Sequence, residues 1–285
     1  MLDPKVFKAY DVRGVYPTEL DADGGYAIGR AFVEQFEPKR IAAGRDMRLS
    51  SPEMAAAAMR GASDAGAEVL DLGMIGTEML YFAVGDLGLD GGFTVTASHN
   101  PKQYTGMKIV RRGALPVGGD SGLLDVRDRA TAAAWRPSGH TGTVTGYDIW
   151  PAYVDRVMSF IDASAVRPLK IVVDAANGMA GAMLSPVLDR LPTVEAVRCF
   201  FEPDGSFPNH EPNPLLPENR EFIVRKALEE GADLGVAFDG DGDRCFFVDD
   251  TGEFVPGDFV TALFAELVLE KEPGAKIIYD VRASW

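Results

Sequence analysis

Short apolar runs alternate with longer helical segments along the first half of the chain. Strands are predicted at residues 40–44, 68–72 and 92–96, with helices at 51–65 and 77–85 between them, the second capped by its first residue, Thr77. Such alternation is typical of βαβ units, in which helices cover a mostly parallel sheet. The sequence therefore predicts an α/β fold with mixed, mostly parallel sheets.

The same alternation returns in the second half, after a segment rich in glycine and threonine at 136–147 that we interpret as a loop or linker. Strands are predicted at 169–174, 194–201, 234–238 and 245–249, with a helix at 220–230 and an irregular, proline-rich loop at 205–219. The two halves therefore look like two consecutive domains of one architecture, at residues 1–147 and 148–255.

The last thirty residues, 256–285, contain a predicted amphipathic helix at 259–270 and a predicted strand at 276–281. A segment of this size is too small to bury a core of its own. We expect it to be the start of a third α/β domain that is truncated here; the alternative is an extension that packs on the second domain.

The formal net charge of −15 bears on partners. An acidic surface repels nucleic acid and anionic membranes, so we expect neither as a partner. The N-terminus has no apolar signal segment, and Cys199 and Cys245 have no metal-binding spacing. Two isolated cysteines are typical of a reducing compartment, so a cytoplasmic location is expected. The sequence does not indicate an oligomeric state.

One candidate site is the segment 96–101, here called the serine loop, which follows a predicted strand. Its Ser98 would project from the carboxyl end of the sheet, where α/β folds place their sites. His99 can donate to an anion, and Lys108 lies a short strand away. The alternatives are a simple turn and a Ser-His-Asp hydrolase, which the absence of a G-x-S-x-G elbow disfavours.

The second candidate site is the segment 239–244, here called the aspartate loop, in which Asp239, Asp241 and Asp243 alternate with glycine. Three adjacent carboxylates repel one another unless a cation neutralises them, and all-oxygen ligands favour magnesium or calcium. An EF-hand does not fit, because Arg244 replaces its glycine and Asp250 its glutamate. We therefore predict a Mg²⁺ site; the alternative is an acidic surface turn.

Together the two loops resemble the phosphoserine loop and the metal loop of the α-D-phosphohexomutase superfamily. Four further segments are similar to motifs of that family and occur in the same order: residues 8–14, 44–48 with 51–52, 174–178, and 213–214 with 218–219. The resemblance extends over nearly the whole chain. Its opening segment is most similar to bacterial phosphomannomutase/phosphoglucomutase, and phosphoglucosamine mutase is the alternative.

The resemblance implies an intramolecular phosphotransferase that carries a covalent phosphate on Ser98. Ser98 and the three aspartates would hold Mg²⁺. The enzyme would interconvert hexose 6-phosphate and hexose 1-phosphate, with mannose or glucose as the sugar. The intermediate would be a hexose bisphosphate that reorients in the site without leaving it.

The resemblance also implies roles for neighbouring residues. His99 and Lys108 would move the hydroxyl proton, unless Lys108 is a fixed positive charge; Arg13 would take part in catalysis; Tyr10 and Arg244 would contact substrate or phosphate. Arg45 and Asp46 we interpret as a structural pair.

Complete members of the family resemble a four-domain arrangement, in which the last two domains recognise the sugar and its distal phosphate. These parts have no counterpart in the 285 residues. Binding energy from a remote phosphate normally serves orientation, so we expect a transfer centre with little mutase turnover. The alternative from another class is a non-catalytic fragment that binds Mg²⁺ and phosphate.

Overall fold

The computed structural model describes residues 2–279, which form two consecutive α/β units. The strands of the first unit are β1 (Val12–Val15), β2 (Arg40–Arg45), β3 (Glu68–Met74), β4 (Gly91–Val95), β5 (Tyr104–Arg111), β6 (Leu115–Pro116) and β7 (Val144–Gly146). Its helices are α1 (Ala22–Phe36), α2 (Ser51–Asp64), α3 (Thr77–Asp86) and α4 (Leu124–Ala132).

The second unit has the same kinds of element. Its strands are β8 (Leu169–Asp174), β9 (Val194–Cys199), β10 (Leu234–Phe238), β11 (Cys245–Val248) and β12 (Phe254–Val255). Its helices are α5 (Trp150–Met158), α6 (Met179–Leu188), α7 (Glu221–Glu230) and α8 (Gly257–Lys271).

The two sheets contain the same arrangement of four neighbouring strands. The strand order is β1-β5-β4-β2-β3-β7 in the first unit and β12-β11-β10-β8-β9 in the second. In each, three parallel strands (β4, β2, β3 and β10, β8, β9) are followed on one side by an antiparallel strand, β5 or β11. This confirms the predicted α/β fold. It also makes the serine loop, after β4, and the aspartate loop, after β10, equivalent positions of the two units.

Side chains alternate across the first sheet and build two separate cores. Ile41 and Ala43 face the core formed with α1 and α2, whereas Ala42 faces the core that contains α3, as the period of a strand requires. The α3 core also includes Met183 and Phe207 of the second unit. The helix α3 therefore lies between the first sheet and the second unit, which brings the two loops close together.

Helix α1 was not predicted, because the glycines in its sequence lower helix propensity. The structure gives one of them a packing role: a Cβ on Gly29 would collide with the backbone of Ala58 in α2. The absent side chain lets the two helices approach closely.

Two expectations about the first unit were wrong in detail. The segment 136–147 is not only a linker, since its end forms β7, which pairs in parallel with β3. This strand is three exposed residues long, so it carries no hydrophobic pattern that sequence could reveal. Thr77 is not the cap of α3, because Gly76 occupies the N-cap position.

The predicted helix at 259–270 is confirmed as α8, and its residues are largely exposed. The predicted strand at 276–281 is absent over residues 276–279, and its last two residues lie outside the described range. Across residues 2–279, no helix combines the length and apolarity needed to cross a membrane.

Candidate active site

The serine loop and the aspartate loop meet at the hydroxyl of Ser98. Ser98 Oγ donates a hydrogen bond to Asp239 Oδ2 at 2.9 Å, across 141 residues of sequence. The loops approach closely because a Cβ at Gly240 would collide with the carbonyl oxygen of Ser98. Ser98 itself has φ +50°, a left-handed conformation that is costly for a residue with a side chain. Its position is therefore enforced by the surroundings of the loop.

The three carboxylates of the aspartate loop converge on one point. Asp239, Asp241 and Asp243 each offer an oxygen, and these oxygens lie within 4.8 Å of one another. Burial, together with the charges of Asp241 and Asp243, raises the pKa of Asp239 to about 7. Asp241 Oδ1 is buried and has no hydrogen-bond partner among the described residues. A hard divalent cation would satisfy this oxygen and remove the repulsion, so the donor set fits Mg²⁺.

Lys108, on β5, supplies positive charge to the same cluster. Its Nζ donates to Asp241 Oδ2 at 2.6 Å and also to Asp243. Burial alone would lower the pKa of Lys108, but the two carboxylates outweigh it and raise that pKa. Burial likewise opposes ionisation of Asp241, yet Lys108 keeps the pKa of Asp241 low. Lys108 is therefore an ammonium ion here.

Arg244 connects the aspartate loop to Ser98 and His99. Its Nε donates to Asp239 Oδ2 at 3.0 Å and its Nη2 donates to Ser98 Oγ at 2.9 Å. Nη2 also donates to Nδ1 of His99, which lies 3.4 Å from Ser98 Oγ. Burial and the charge of Arg244 lower the pKa of His99 to about 4. The accepted hydrogen bond places the single ring proton of the neutral imidazole on Nε2.

Arg13 reaches the same region from β1. Its Nη1 donates to the carbonyl oxygen of Thr96 at 2.6 Å, and its Nη2 pairs with Asp11 at 2.9 Å. Eight residues line a cavity of about 490 Å³: Asp11, Arg13, Ser98, His99, Asn100, Lys108, Asp243 and Arg244.

Eight of the nine predicted site residues meet at this cavity or at the carboxylate cluster beside it. Tyr10 is the ninth, and it is 82% exposed and outside the cavity lining.

Two residues of the first unit that sequence reasoning did not place in the site contact its two loops. The Thr77 hydroxyl donates to Asp241 Oδ2 at 2.5 Å, and Arg48 Nη2 donates to the carbonyl oxygen of Ser98 at 2.8 Å. The expected pair of Arg45 with Asp46 was wrong, since Asp46 pairs with Arg48 at 3.3 Å. In the sequence, the only indication of this pair was the arginine two residues after Asp46.

Two family models match the chain. Phosphoglucomutase/phosphomannomutase, alpha/beta/alpha domain I, matches residues 4–131, and domain II of the same family matches residues 151–252. The chain belongs to the phosphoglucomutase/phosphomannomutase family.

Individual relatives agree with this assignment. A phosphomannomutase of Salmonella montevideo is 47% identical over 98% of this chain and 62% of its own length. The phosphohexose mutases of Xanthomonas campestris pv. campestris (strain ATCC 33913) are 45% identical over 98% of this chain and 62% of their own length. A crystal structure of a phosphoglucomutase/phosphomannomutase family protein from Burkholderia thailandensis has a TM-score of 0.87 and 38% identity, covering 96% of this chain and 61% of that one. The chain thus spans about 62% of the length of the curated relatives it matches.

Proposed function

We propose that this chain carries the phosphoryl-transfer centre of a phosphohexomutase, an intramolecular phosphotransferase that interconverts hexose 6-phosphate and hexose 1-phosphate through a hexose bisphosphate. Mannose and glucose are the sugars we favour, because the relatives named above are phosphomannomutases and phosphohexose mutases. The observation that carries the proposal is the position of Ser98 Oγ, which donates to Asp239 and accepts from Arg244 beside a convergent carboxylate cluster.

In the proposed reaction, a hexose hydroxyl oxygen attacks the phosphorus of a phosphate carried on Ser98. The bond between phosphorus and Oγ breaks, and the hydroxyl proton ends on Oγ, which restores the serine. Lys108 and Arg244 remain cations and balance the negative charge of the moving phosphoryl group. Neutral His99, 3.4 Å from Oγ, is the relay for the proton. The reverse step returns the other phosphate of the bisphosphate to Ser98.

Asp239, Asp241 and Asp243, with Ser98, would hold a magnesium ion in the complete site. When bound, such an ion acts as a Lewis acid toward the phosphoryl oxygens. The role of the protein is to hold three carboxylates together against their mutual repulsion. Without the ion, Lys108 and Arg244 offset this repulsion by pairing with the carboxylates.

Arg13 orients the serine loop through the Thr96 carbonyl and lines the cavity that receives the substrate phosphate. Tyr10 is exposed and outside the cavity lining, so its proposed role is contact with a substrate rather than with the serine. These roles, and domain boundaries at 147 and 255, are part of the proposal. So is a cytoplasmic location, for which the unpaired cysteines Cys199 and Cys245 are the support.

Phosphorylation of the chain tests the proposal directly. The protein is incubated with a hexose 1,6-bisphosphate and Mg²⁺, and intact mass spectrometry measures the covalent gain of one phosphoryl group. We expect the gain in the wild type and in Ser138→Ala, which removes an exposed hydroxyl, and its loss in Ser98→Ala. A wild type without phosphate, or an unchanged gain in Ser98→Ala, contradicts the proposal and favours a non-catalytic fragment. Comparison of mannose, glucose and glucosamine 1-phosphates separates the proposal from phosphoglucosamine mutase.

A further inference from the structure

Arg48, in the loop between β2 and α2, is among the largest fully buried side chains of the described residues, with 1% exposure. Its guanidinium donates to four main-chain carbonyls. Nη2 contacts Ser98 O at 2.8 Å and Asn100 O at 2.6 Å, and Nη1 contacts Pro101 O at 2.9 Å and Tyr104 O at 3.2 Å. All four carbonyls lie in the segment that runs from Ser98 to the start of β5.

A buried guanidinium is costly unless it is paired and hydrogen-bonded. Burial lowers the pKa of Arg48, and the charge of Asp46 opposes that shift. Asp46 Oδ2 lies 3.3 Å from Arg48 Nε, outside the hydrogen-bond geometry of either atom. The four carbonyls thus provide the hydrogen bonds that hold this charge in the interior, so Arg48 and the segment 98–104 stabilise each other.

The contact with Ser98 acts on a strained residue. At φ +50°, Ser98 has a left-handed backbone, which is costly for a non-glycine residue. Thr96 Oγ1 accepts from its amide at 2.9 Å, and Arg48 holds its carbonyl. Both peptide groups of Ser98 are therefore held in place, which positions the Cα–Cβ bond from which Oγ reaches Asp239.

Arg48 is also in contact with the second unit. A Cβ on Gly205 would lie 2.5 Å from Arg48 Cα, and the ring of Phe207 is 5.2 Å from Arg48 Cζ. The guanidinium therefore lies between the serine loop and a loop of the unit that carries the aspartates.

We propose that Arg48 is a positioning residue for phosphoryl transfer. It holds Ser98 in the strained conformation that faces the carboxylates and couples this conformation to the docking of the second unit. The inference rests on the proposed function. Lysine cannot replace Arg48, because one ammonium cannot span four carbonyls in the way that the planar fork of donors does.

The test compares Arg48→Lys with a matched control, Arg30→Lys. Arg30 is another shielded arginine of the first unit, and it donates to Tyr26 Oη and to the Arg136 carbonyl, away from the serine loop. Hydrogen exchange reports opening of the turns in which Asn100 N and Tyr104 N donate to Ala97 O and Pro101 O. Intact mass spectrometry follows the rate of Ser98 phosphorylation by a hexose 1,6-bisphosphate.

For Arg48→Lys we expect faster exchange confined to residues 97–104 and a phosphorylation rate lower by about 10- to 100-fold. Arg30→Lys should keep the wild-type values of both. Wild-type exchange in this segment, or a wild-type phosphorylation rate, overturns the inference.

Should Arg48→Lys fail to fold, Asp46→Asn perturbs the same guanidinium more gently. Exchange in residues 97–104 and the phosphorylation rate of Asp46→Asn then test the inference in the same way. A wild-type chain that takes no phosphate refutes the proposed function alone. Local exchange then still decides whether Arg48 holds the loop.

Discussion

Thr77 and Asp241 join the two units at the carboxylate cluster. The Thr77 hydroxyl, on the first turn of α3, donates to Asp241 Oδ2 at 2.5 Å across 164 residues of sequence. The same oxygen accepts from Lys108 Nζ, so its orientation is set by two groups of the first unit. The carboxylate cluster is therefore completed by contacts between the units and not by the aspartate loop alone.

The substitution Thr77→Val should weaken Mg²⁺ binding. Loss of a partner that orients a metal-ligating group typically lowers metal affinity 10- to 100-fold. We therefore expect isothermal titration to show Mg²⁺ affinity lower by about 10-fold. Thr105→Val is the matched control, because Thr105 Oγ1 is buried and has no hydrogen-bond partner within residues 2–279. It should leave the affinity unchanged. Equal affinities of Thr77→Val and the wild type would show that the contact does not orient Asp241.

The two central loops could be predicted because each is a short local motif beside a strand. Ser98 and the three aspartates are recognisable from a few neighbouring residues each. Thr77 and Arg48 could not be placed in the same way, since their partners are 164 and 50 or more residues distant in sequence. The Thr77 contact depends on how the two units dock, and the Arg48 contacts depend on how the first unit folds. Helix α1 shows a related limit: its glycines lower helix propensity, yet Gly29 permits tight packing on Ala58.

Removal of the Lys108 ammonium should destabilise the protein without metal. Lys108→Met leaves Asp241 and Asp243 without their shared cation, and loss of one partner of a buried pair typically costs about 3–5 kcal/mol. Saturating Mg²⁺ should restore most of the loss, since the ion neutralises the same carboxylates. Lys170→Met, which removes the more exposed pairs with Glu195 and Glu230, should change stability little and be insensitive to Mg²⁺. Urea unfolding of each variant in EDTA and in Mg²⁺ measures these free energies. If Mg²⁺ does not reduce the loss in Lys108→Met, the ion and the Lys108 ammonium do not neutralise the same carboxylates.

The substitution Gly240→Ala should separate the two loops. Its Cβ would collide with the carbonyl oxygen of Ser98, a backbone atom that cannot rotate away. A displacement of Ser98 from Asp239 by even about 1 Å is expected to lower the rate of Ser98 phosphorylation about 100-fold. Gly146→Ala, at a position with open space around the new methyl group, should have the wild-type rate. A wild-type rate in Gly240→Ala would show that the close approach of the loops is not needed for transfer.

Glu78, beside Thr77 on α3, should make stability fall as pH rises. Its Oε2 is buried without a hydrogen-bond partner among the described residues, and burial raises the pKa of Glu78 from 4.5 to about 8. The folded state therefore binds the proton more tightly than the unfolded state. This contribution to stability is complete below pH 4.5 and is lost as pH rises through about 8, and the interval corresponds to about 5 kcal/mol.

Glu78→Gln removes the titrating group and should remove this part of the pH dependence. Denaturant unfolding in EDTA at pH 5, 7 and 9 measures the free energy of unfolding. Between pH 5 and pH 9, this free energy should rise by several kcal/mol in the variant relative to the wild type. The aspartate loop is the same in both proteins, so the difference between the two curves reports the effect of the Glu78 carboxyl. Glu229→Gln, which changes an exposed glutamate paired with Arg225, should keep the wild-type curve. Parallel curves for Glu78→Gln and the wild type would mean that Glu78 is ionised in the folded protein across this range.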